Sequence, residues 1–319
     1  MPDSLGPALE TPLFERIAII GLGLIGSSIA RVARRKNLAG TIVAIDQSLQ
    51  VRSRVAELGI ADEVAASAGD GVRNADLVIL CVPVGANASV AKEIGASLKP
   101  GSIVSDVGSV KASVVANVVP HLPEGVSFVP AHPVAGTEFS GPDAGFATLF
   151  KNRWCILTPP DGTPPDAIAR VREFWAAMGS NVEIMTPTHH DLVLGITSHL
   201  PHLIAFNIVG TAAALEEGTK SEVIKFSAGG FRDFTRIAAS DPTMWRDVFL
   251  HNKEAVLEML DRFNADLNAL VKMIKEGDGP GLHDRFSRTR AIRRSIIEQG
   301  QETATADFGR LGPDATASQ

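Results

Sequence analysis

The sequence feature that most constrains the fold is a glycine-rich segment between a short apolar run and a run of helical character. Residues 16–20 read Arg-Ile-Ala-Ile-Ile, which is typical of a parallel strand buried on both faces. Gly-Leu-Gly-Leu-Ile-Gly follows at residues 21–26. In such a segment the first glycine makes the tight turn, the second lets backbone amides approach a pyrophosphate, and the third lets the helix pack on the strand. The segment predicts a dinucleotide-binding unit.

An acidic residue after the second strand indicates which dinucleotide is bound. Residues 41–45 form the next apolar run, and Asp46 follows it directly, 20 residues beyond Gly26. This is where the acid that binds the adenosine ribose is expected. Its carboxylate would accept hydrogen bonds from the ribose hydroxyls and repel a 2′-phosphate. The sequence therefore predicts NAD as the cofactor and disfavours NADP.

Further apolar runs occupy residues 75–82, 101–106, 128–131, 154–157 and 182–185, with helical stretches between them. This alternation predicts an α/β fold with a Rossmann-type, doubly wound and mostly parallel sheet. Ligands of such sheets collect at the carboxyl ends of the strands. The expected cofactor-binding residues are Gly21, Leu22, Gly23, Leu24, Ile25, Gly26, Asp46, Val82, Pro83, Val84 and Ser109.

A histidine near the same edge of the sheet is the candidate catalytic base. His132 follows the run at 128–131, and Pro133, two glycines, Thr137 and Glu138 come after it. A histidine at the mouth of a cleft, with a pKa near neutral, suits general base catalysis. Ser109 could donate to its imidazole and fix its tautomer, or it could cap the helix that begins near Lys111. We expect Lys111 to be a solvated residue of the first helical turn.

Length and composition limit the number of domains, the partners and the compartment that are expected for this chain. A chain of 319 residues suggests two domains. The net charge of −6 argues against a nucleic-acid or anionic-membrane partner. The N-terminal residues lack the basic and apolar pattern of a signal peptide, which favours the cytoplasm. Cys81 and Cys155 lie in apolar runs and are expected to be buried, reduced thiols.

The second half of the chain begins with a long apolar stretch at residues 191–215. Two histidines, a proline and Asn207 interrupt it, so a fully buried core helix is favoured over a membrane span. His199 and His202 are three residues apart and share a helix face. They are substrate contacts or core histidines, because no nearby Cys or Glu completes a metal site.

Two arginines and a long helix follow. Arg232 and Arg236 lie among apolar residues, where an arginine usually holds a carboxylate of a ligand or of a neighbour such as Asp233. A helix is expected from an N-cap at Asp241 to residue 275. Apolar residues at steps of four and three form a seam that requires a partner helix. The seam consists of Val256, Leu260, Phe263, Leu267, Leu270 and Ile274.

The expected organisation is an NAD-binding domain at residues 1–187 and a helical substrate-binding and dimerisation domain at residues 188–300. Residues 301–319 are rich in Thr, Ala, Gly and Pro and are expected to form a disordered tail. A homodimer through the C-terminal helices follows from the seam.

Five ordered motifs resemble the prephenate/arogenate (cyclohexadienyl) dehydrogenases of tyrosine biosynthesis. They are the glycine motif at 21–26, Asp-Val-Gly-Ser-Val-Lys at 106–111, His-Pro-Val-Ala-Gly-Thr-Glu at 132–138, Ser-His-Leu-Pro-His at 198–202 and Gly-Gly-Phe-Arg-Asp-Phe-Thr-Arg at 229–236. The resemblance covers residues 14–300. It implies oxidative decarboxylation of prephenate to 4-hydroxyphenylpyruvate, of arogenate to tyrosine, or of both, with hydride transfer to NAD. Because no chorismate mutase segment precedes residue 14, we expect a monofunctional enzyme.

The resemblance also implies roles for individual residues. His132 would take the proton of the substrate's 4-hydroxyl, Ser109 would orient His132, and Arg236 would bind a substrate carboxylate. The remaining residues expected to line the substrate pocket are Thr137, Glu138, His199, His202, Gly229 and Trp245. Among them, Trp245 is expected to reach the pocket from near the dimer partner.

The motifs leave two other functions open. A two-domain NAD(P) oxidoreductase of the β-hydroxyacid dehydrogenase or imine reductase type would typically use a lysine or aspartate in the helical domain. A non-catalytic NAD-sensing protein could use the same fold as a switch. Neither function requires the combination of His132, Ser109 and Arg236.

Overall fold

The computed structural model describes residues 5–137, 139–219 and 229–296. The chain divides into two compact units, Met1–Met259 and Leu260–Gln319. Glu138 and the expected disordered tail lie outside the described residues.

The first unit contains a six-stranded sheet in which every described pair of neighbouring strands is parallel. Its order is β3-β2-β1-β4-β5-β6. The strands are β1 (Phe14–Ile20), β2 (Ala39–Ile45), β3 (Glu63–Ala65), β4 (Leu77–Leu80), β5 (Ile103–Asp106) and β6 (Ser127–Phe128). The order changes direction between β1 and β4, so a cleft opens at their carboxyl ends. The predicted Rossmann-type architecture is confirmed.

Helices cover both faces of this sheet. They are α1 (Leu24–Lys36), α2 (Leu49–Leu58), α3 (Ala68–Gly71), α4 (Asn87–Ile94) and α5 (Ala112–Val118). Successive residues of a strand point to opposite faces, and β1 shows the result. Ile17 and Ile19 belong to one buried apolar cluster, whereas Ala18 and Ile20 belong to the other. Two apolar layers therefore sandwich the sheet.

A second, three-stranded sheet follows. It consists of β7 (Ala131–Pro133), β8 (Trp154–Leu157) and β9 (Asn181–Ile184), with β7 antiparallel to β8 and β8 parallel to β9. Helix α6 (Pro165–Ala177) joins β8 to β9. The apolar run expected as one strand at 128–131 is thus divided between two sheets. Pro130 lies at the break, where its missing N–H prevents it from donating to a strand ladder.

The long apolar stretch forms helix α7 (Pro187–Leu194), a π-helical turn (Gly195–His199) and helix α8 (Leu200–Thr219). The segment Pro187–Ala214 is long and apolar enough to cross a membrane, by length and composition only. Only 28% of its most apolar window is buried within this chain. The expectation of a fully buried core helix is therefore wrong for the single chain, because much of the apolar surface has no described neighbour.

The last described helices differ from the single long helix that the sequence predicted. They are α9 (Gly229–Thr235), α10 (Pro242–His251), α11 (Lys253–Glu276) and α12 (Gly279–Ile296). Asp241 caps α10, as expected, by accepting from the Met244 amide at 2.8 Å. The break comes at Asn252, whose side-chain amide donates to the Asp191 carbonyl at 2.8 Å. This buried tertiary contact draws Asn252 out of regular helix geometry.

Within the second unit, the end of α11 and all of α12 form a helical hairpin. Gly277, with φ of +65°, ends α11 where the sequence placed its stop. Arg285 binds Asp266 at 2.7 Å between the two helices. In the apolar seam, Leu267 is 45% exposed and Ile274 66% exposed, so part of the seam faces solvent in the single chain.

Candidate active site

The glycine-rich loop has the geometry of a dinucleotide cradle. Gly21 has φ of +93°, and a Cβ there would collide with the Cys81 carbonyl. A Cβ on Gly26 would collide with the Gly21 carbonyl. Gly23 instead faces open space, because no described residue beyond its neighbours in the chain has an atom within 4 Å of where a Cβ would be. It is the N-cap of α1 and provides no side-chain cap. The exposed helix N-terminus therefore fits a pyrophosphate.

Asp46 is held beside this loop. One carboxylate oxygen accepts from the Leu22 amide at 3.0 Å and the other accepts from the Ser48 amide at 2.9 Å. The acid is thereby fixed at the carboxyl end of β2, next to the glycine loop. This position fits the adenosine ribose of NAD.

The loop after β4 closes the other side of the cleft. Val84 begins a short 3₁₀ turn (Val84–Ala86) and is buried, whereas Pro83 is exposed. A Cβ on Gly85 would lie 3.0 Å from a carboxylate oxygen of Asp247 on α10. The loop that contains the expected cofactor residues Val82, Pro83 and Val84 is therefore packed closely against the helical part of the first unit.

Lys111 is not a solvated residue, and the expectation for it is wrong. Its Nζ donates to Asp106 at 2.6 Å and to the Ala131 carbonyl at 2.7 Å, and neither charged side chain is exposed. Burial raises the pKa of Asp106 and lowers the pKa of Lys111. The ion pair joins the carboxyl end of β5 to the residue that precedes His132.

His132 lies in β7 and is 7% exposed. Its Nδ1 is 2.8 Å from Nε2 of His190 on α7, and the two rings are edge to face at 5.0 Å between centroids. The sequence suggested that Ser109 contacts the His132 imidazole. In the structure, the residue at Nδ1 of His132 is His190. Within the described residues, no hydrogen bond is found for Nε2 of His132, which leaves this nitrogen available to a substrate.

His190 is in turn bound to Asp191. Its Nδ1 is 2.8 Å from Oδ1 of Asp191. The same carboxylate accepts from the backbone amides of Lys111 and Ala112, at 2.8 and 2.9 Å, at the start of α5. Neither His190 nor Asp191 was among the site residues expected from the sequence. The adjacent His-Asp pair was visible, but nothing in the sequence indicated that it contacts His132.

The histidines of this cluster favour the neutral state. Burial is the main cause that lowers the pKa of His132 well below its usual range, and the neighbouring His190, Lys111 and His199 lower it further. Burial also lowers the pKa of His190, against the opposing effect of the Asp191 carboxylate. A neutral His132 can accept a proton, as a general base must.

A second cluster lies between the π-helical turn, α8 and α10. The Trp245 ring, 6% exposed, stacks on His202 at 3.7 Å and meets His199 edge to face at 6.0 Å. His199 is fully buried, and its Nδ1 is 3.0 Å from the side-chain amide of Asn252. Its Nε2 is buried, and a hydrogen bond with the Ser109 backbone opposes the lowering of the His199 pKa by burial. The structure thus brings together His199, His202 and Trp245, as the expected pocket requires.

The remaining expected pocket residues lie on separate elements. Arg236 begins a 3₁₀ turn (Arg236–Ala239), and its positive charge contributes to lowering the pKa of His202, after burial as the main cause. Gly229 begins α9. Thr137 is exposed, and its hydroxyl accepts from the Phe139 amide at 3.3 Å. Glu138 lies outside the described residues.

Known proteins resemble this chain along most of its length. The family model described as "Prephenate dehydrogenase, nucleotide-binding domain" matches residues 29–184, and the model described as "Prephenate dehydrogenase, dimerization domain" matches residues 186–288. A cyclohexadienyl dehydrogenase of Zymomonas mobilis is 44% identical over 89% of this chain and 97% of its own length. A prephenate dehydrogenase of Bacillus subtilis is 34% identical over 88% of this chain and 76% of its own length.

A solved structure agrees with these matches. The prephenate dehydrogenase of Aquifex aeolicus, in complex with hydroxyphenyl propionate and NAD⁺, superposes with a TM-score of 0.83. It is 36% identical in sequence, and the comparison covers 88% of this chain and 98% of that one.

Proposed function

This chain belongs to the prephenate dehydrogenase family, and on that premise we propose that it oxidatively decarboxylates prephenate, arogenate or both with NAD. The reaction belongs to tyrosine biosynthesis. The observation that carries the proposal is a buried His132 whose Nδ1 is occupied by His190 and whose Nε2 is left for the substrate. The family matches and the predicted cofactor cradle support the same activity.

We propose that His132 is the general base. Its Nε2 would take the proton of the substrate's 4-hydroxyl, and the C4–O bond would become a carbonyl as C4 releases its hydride. Loss of the carboxylate at C1 as carbon dioxide then leaves an aromatic ring, which makes the overall step favourable. Bound NAD supplies the hydride acceptor. To act as the base, His132 must lie within hydrogen-bonding distance of the hydroxyl, and its imidazole must be neutral.

We propose that Arg236 binds a substrate carboxylate through charge-assisted hydrogen bonds. The positive charge of Arg236 contributes to lowering the pKa of His202, whose ring stacks on Trp245. His199, Gly229, Thr137 and Glu138 are proposed to complete the pocket, and Ser109 is proposed to orient His132 and to bind the cofactor. Trp245 is proposed to lie near the dimer partner.

NAD fits the residues of the cleft. Gly21, Gly23 and Gly26 would admit the pyrophosphate, and Asp46 would bind the adenosine ribose. Leu22, Leu24, Ile25, Val82, Pro83 and Val84 are proposed to line the remainder of the cofactor site.

The protein acts on a small molecule and dimerises. We propose a homodimer through the C-terminal helices, in which the apolar surface of α7 and α8 and the seam of α11 are covered by the second subunit. We also propose that the functional boundary lies at residue 187, with an NAD-binding domain before it and a helical domain after it, and that the enzyme acts in the cytoplasm.

The test is NADH formation by the purified protein with prephenate and with arogenate, each supplied with NAD and with NADP. Turnover of either substrate supports the proposal, and the ratios of kcat/KM define substrate and cofactor preference. Measurable NAD binding without turnover of any pair would contradict it and favour a non-catalytic NAD sensor.

A further inference from the structure

We propose that His190 and Asp191 are positioning residues that fix the tautomer of His132 and support its positive charge once it has taken a proton. The proposal rests on the function proposed above. It assigns a purpose to two buried residues for which the sequence motifs suggest none. Hydrogen bonds connect Asp191 through His190 to His132.

The chain of hydrogen bonds begins at a fixed acceptor. Asp191 accepts from the backbone amides of Lys111 and Ala112, one on each carboxylate oxygen. A backbone N–H can only donate, so each oxygen already has one donor in place. Oδ1 has a second neighbour, Nδ1 of His190, at 2.8 Å. Because the carboxylate accepts, His190 must carry its hydrogen on Nδ1.

The state of His190 then determines that of His132. Burial lowers the pKa of His190, which keeps the ring neutral near neutral pH. A neutral imidazole with its hydrogen on Nδ1 has a lone pair on Nε2. That atom is 2.8 Å from Nδ1 of His132. His132 must therefore donate from Nδ1, and its own lone pair lies on Nε2.

This is the tautomer that the proposed reaction requires. The substrate proton moves to Nε2 of His132, no hydrogen has to leave Nδ1 first, and the product of the step is an imidazolium with both nitrogens protonated. That cation forms in a buried site beside Lys111, which disfavours it. The hydrogen bond to His190, backed by the Asp191 carboxylate, offsets part of this cost.

The alternative is that His190 and Asp191 only fill space and cap α5. The two possibilities differ in which substitutions they tolerate. Gln at position 190 retains an acceptor for Nδ1 of His132, whereas Phe fills the volume without one. A space-filling role predicts that both variants behave alike. A positioning role predicts that Gln rescues most of what Phe loses.

The experiment compares wild type, His190→Gln and His190→Phe, with His189→Gln and His189→Phe as controls. His189 precedes His190 on the same helix and is exposed. We expect kcat to fall about 100-fold or more in His190→Phe, with KM within about threefold, because loss of the correct histidine tautomer costs serine proteases about 10⁴ in kcat. In His190→Gln we expect kcat to fall by about tenfold at most. The control variants should match wild type.

A spectroscopic measurement tests the tautomer itself. In protein labelled with ¹⁵N-histidine, long-range ¹H–¹⁵N correlations distinguish a hydrogen on Nδ1 from one on Nε2. We expect His132 to carry its hydrogen on Nδ1 in wild type and in His190→Gln, and to populate both tautomers in His190→Phe. The wild-type spectrum remains informative even if the Phe variant does not fold.

Two results would overturn the proposal. One is a wild-type His132 with its hydrogen on Nε2, and the other is a folded His190→Phe enzyme whose kcat lies within about threefold of wild type. The first result requires only wild-type protein, and the second requires an active wild-type enzyme for comparison. Failure of wild type to turn over either substrate would instead reject the proposed function, so the two failures are distinguishable.

Discussion

The ammonium of Lys111 lies 2.6 Å from the carboxylate of Asp106, and both side chains are fully buried. Lys111 also donates to the Ala131 carbonyl, next to His132. The pair therefore connects the central sheet to the strand that presents the candidate base. Removing one partner of a buried ion pair leaves an uncompensated charge, which is far more costly than the net value of the pair.

We predict that Lys111→Met lowers the free energy of unfolding by about 3–5 kcal/mol. The Asp106 carboxylate would lose its only described charged partner while remaining buried. Chemical denaturation monitored by tryptophan fluorescence measures the change. Lys92→Met, at an exposed position on α4, is the control and should change stability by about 0.5 kcal/mol or less. A loss of under about 1 kcal/mol in Lys111→Met would contradict the prediction.

The fold could be predicted from sequence where the signals are local. The apolar run of β1, the glycine motif and Asp46 lie within one β-α-β unit, and each constrains its own backbone or its immediate neighbour. Parallel strand order then determines which loops share an edge. The same local signals placed the N-cap at Asp241 and the helix end at Gly277 correctly.

The missed features depend on contacts between residues far apart in sequence. His190 contacts His132 across 58 positions, and Lys111 contacts Asp191 across 80. A lysine at the start of a helix is normally solvated, and only the folded sheet shows that this one is buried. The break at Asn252 is similar, because its cause is a contact with Asp191 that helix periodicity does not reveal.

We predict that His132→Asn reduces kcat by several orders of magnitude and leaves KM nearly unchanged. The substitution removes the base and leaves the groups proposed to bind the substrate. Steady-state kinetics with the preferred substrate and NAD measures both constants. His283→Asn, on the exposed surface of α12, should match wild type. If kcat of His132→Asn stayed within about tenfold of wild type, another group would have to be the base.

We predict that Arg236→Gln raises KM by about 10- to 100-fold, because a charge-assisted hydrogen bond to the substrate carboxylate is worth about 1.5–3 kcal/mol. Substrate titration of the initial rate gives the value. Arg232→Gln, four residues earlier in the same segment, is the matched comparison. An unchanged KM in Arg236→Gln, with the increase found in Arg232→Gln, would assign the carboxylate to the other arginine.

We predict that Asp46→Asn lowers the preference for NAD over NADP by about tenfold or more, since it removes the charge that repels a 2′-phosphate. The ratio of kcat/KM for the two cofactors is the measurement. Asn retains an acceptor for one of the two amides that Asp46 now binds, those of Leu22 and Ser48, so the glycine loop should be largely preserved. Asp62→Asn, at a residue that precedes β3 and pairs with Arg34 outside the proposed cofactor site, should leave the ratio unchanged. An unaltered ratio in Asp46→Asn would show that another group excludes NADP.

We predict that stability falls with acidity partly through His199. Burial is the main cause that lowers the pKa of His199 to about 4, with His190 and His202 adding to the effect and Asp191 opposing it. Its Nδ1 accepts from the side-chain amide of Asn252. Protonation of Nδ1 would therefore place a new N–H group directly against the N–H of that amide. A histidine with a lowered pKa binds more protons when unfolded, so its contribution is complete above about pH 6.5 and is lost as the pH falls towards 4.

The size of this contribution follows from the shift, which corresponds to about 3 kcal/mol between pH 6.5 and 4. Urea unfolding at several pH values measures the slope, and His199→Asn is the test variant because Asn can still accept from Asn252 but does not titrate in this range. Stability of the variant should vary less with pH than that of wild type, whereas His189→Asn should follow wild type. Parallel pH curves for His199→Asn and wild type would show that His199 is not a group whose protonation drives acid unfolding.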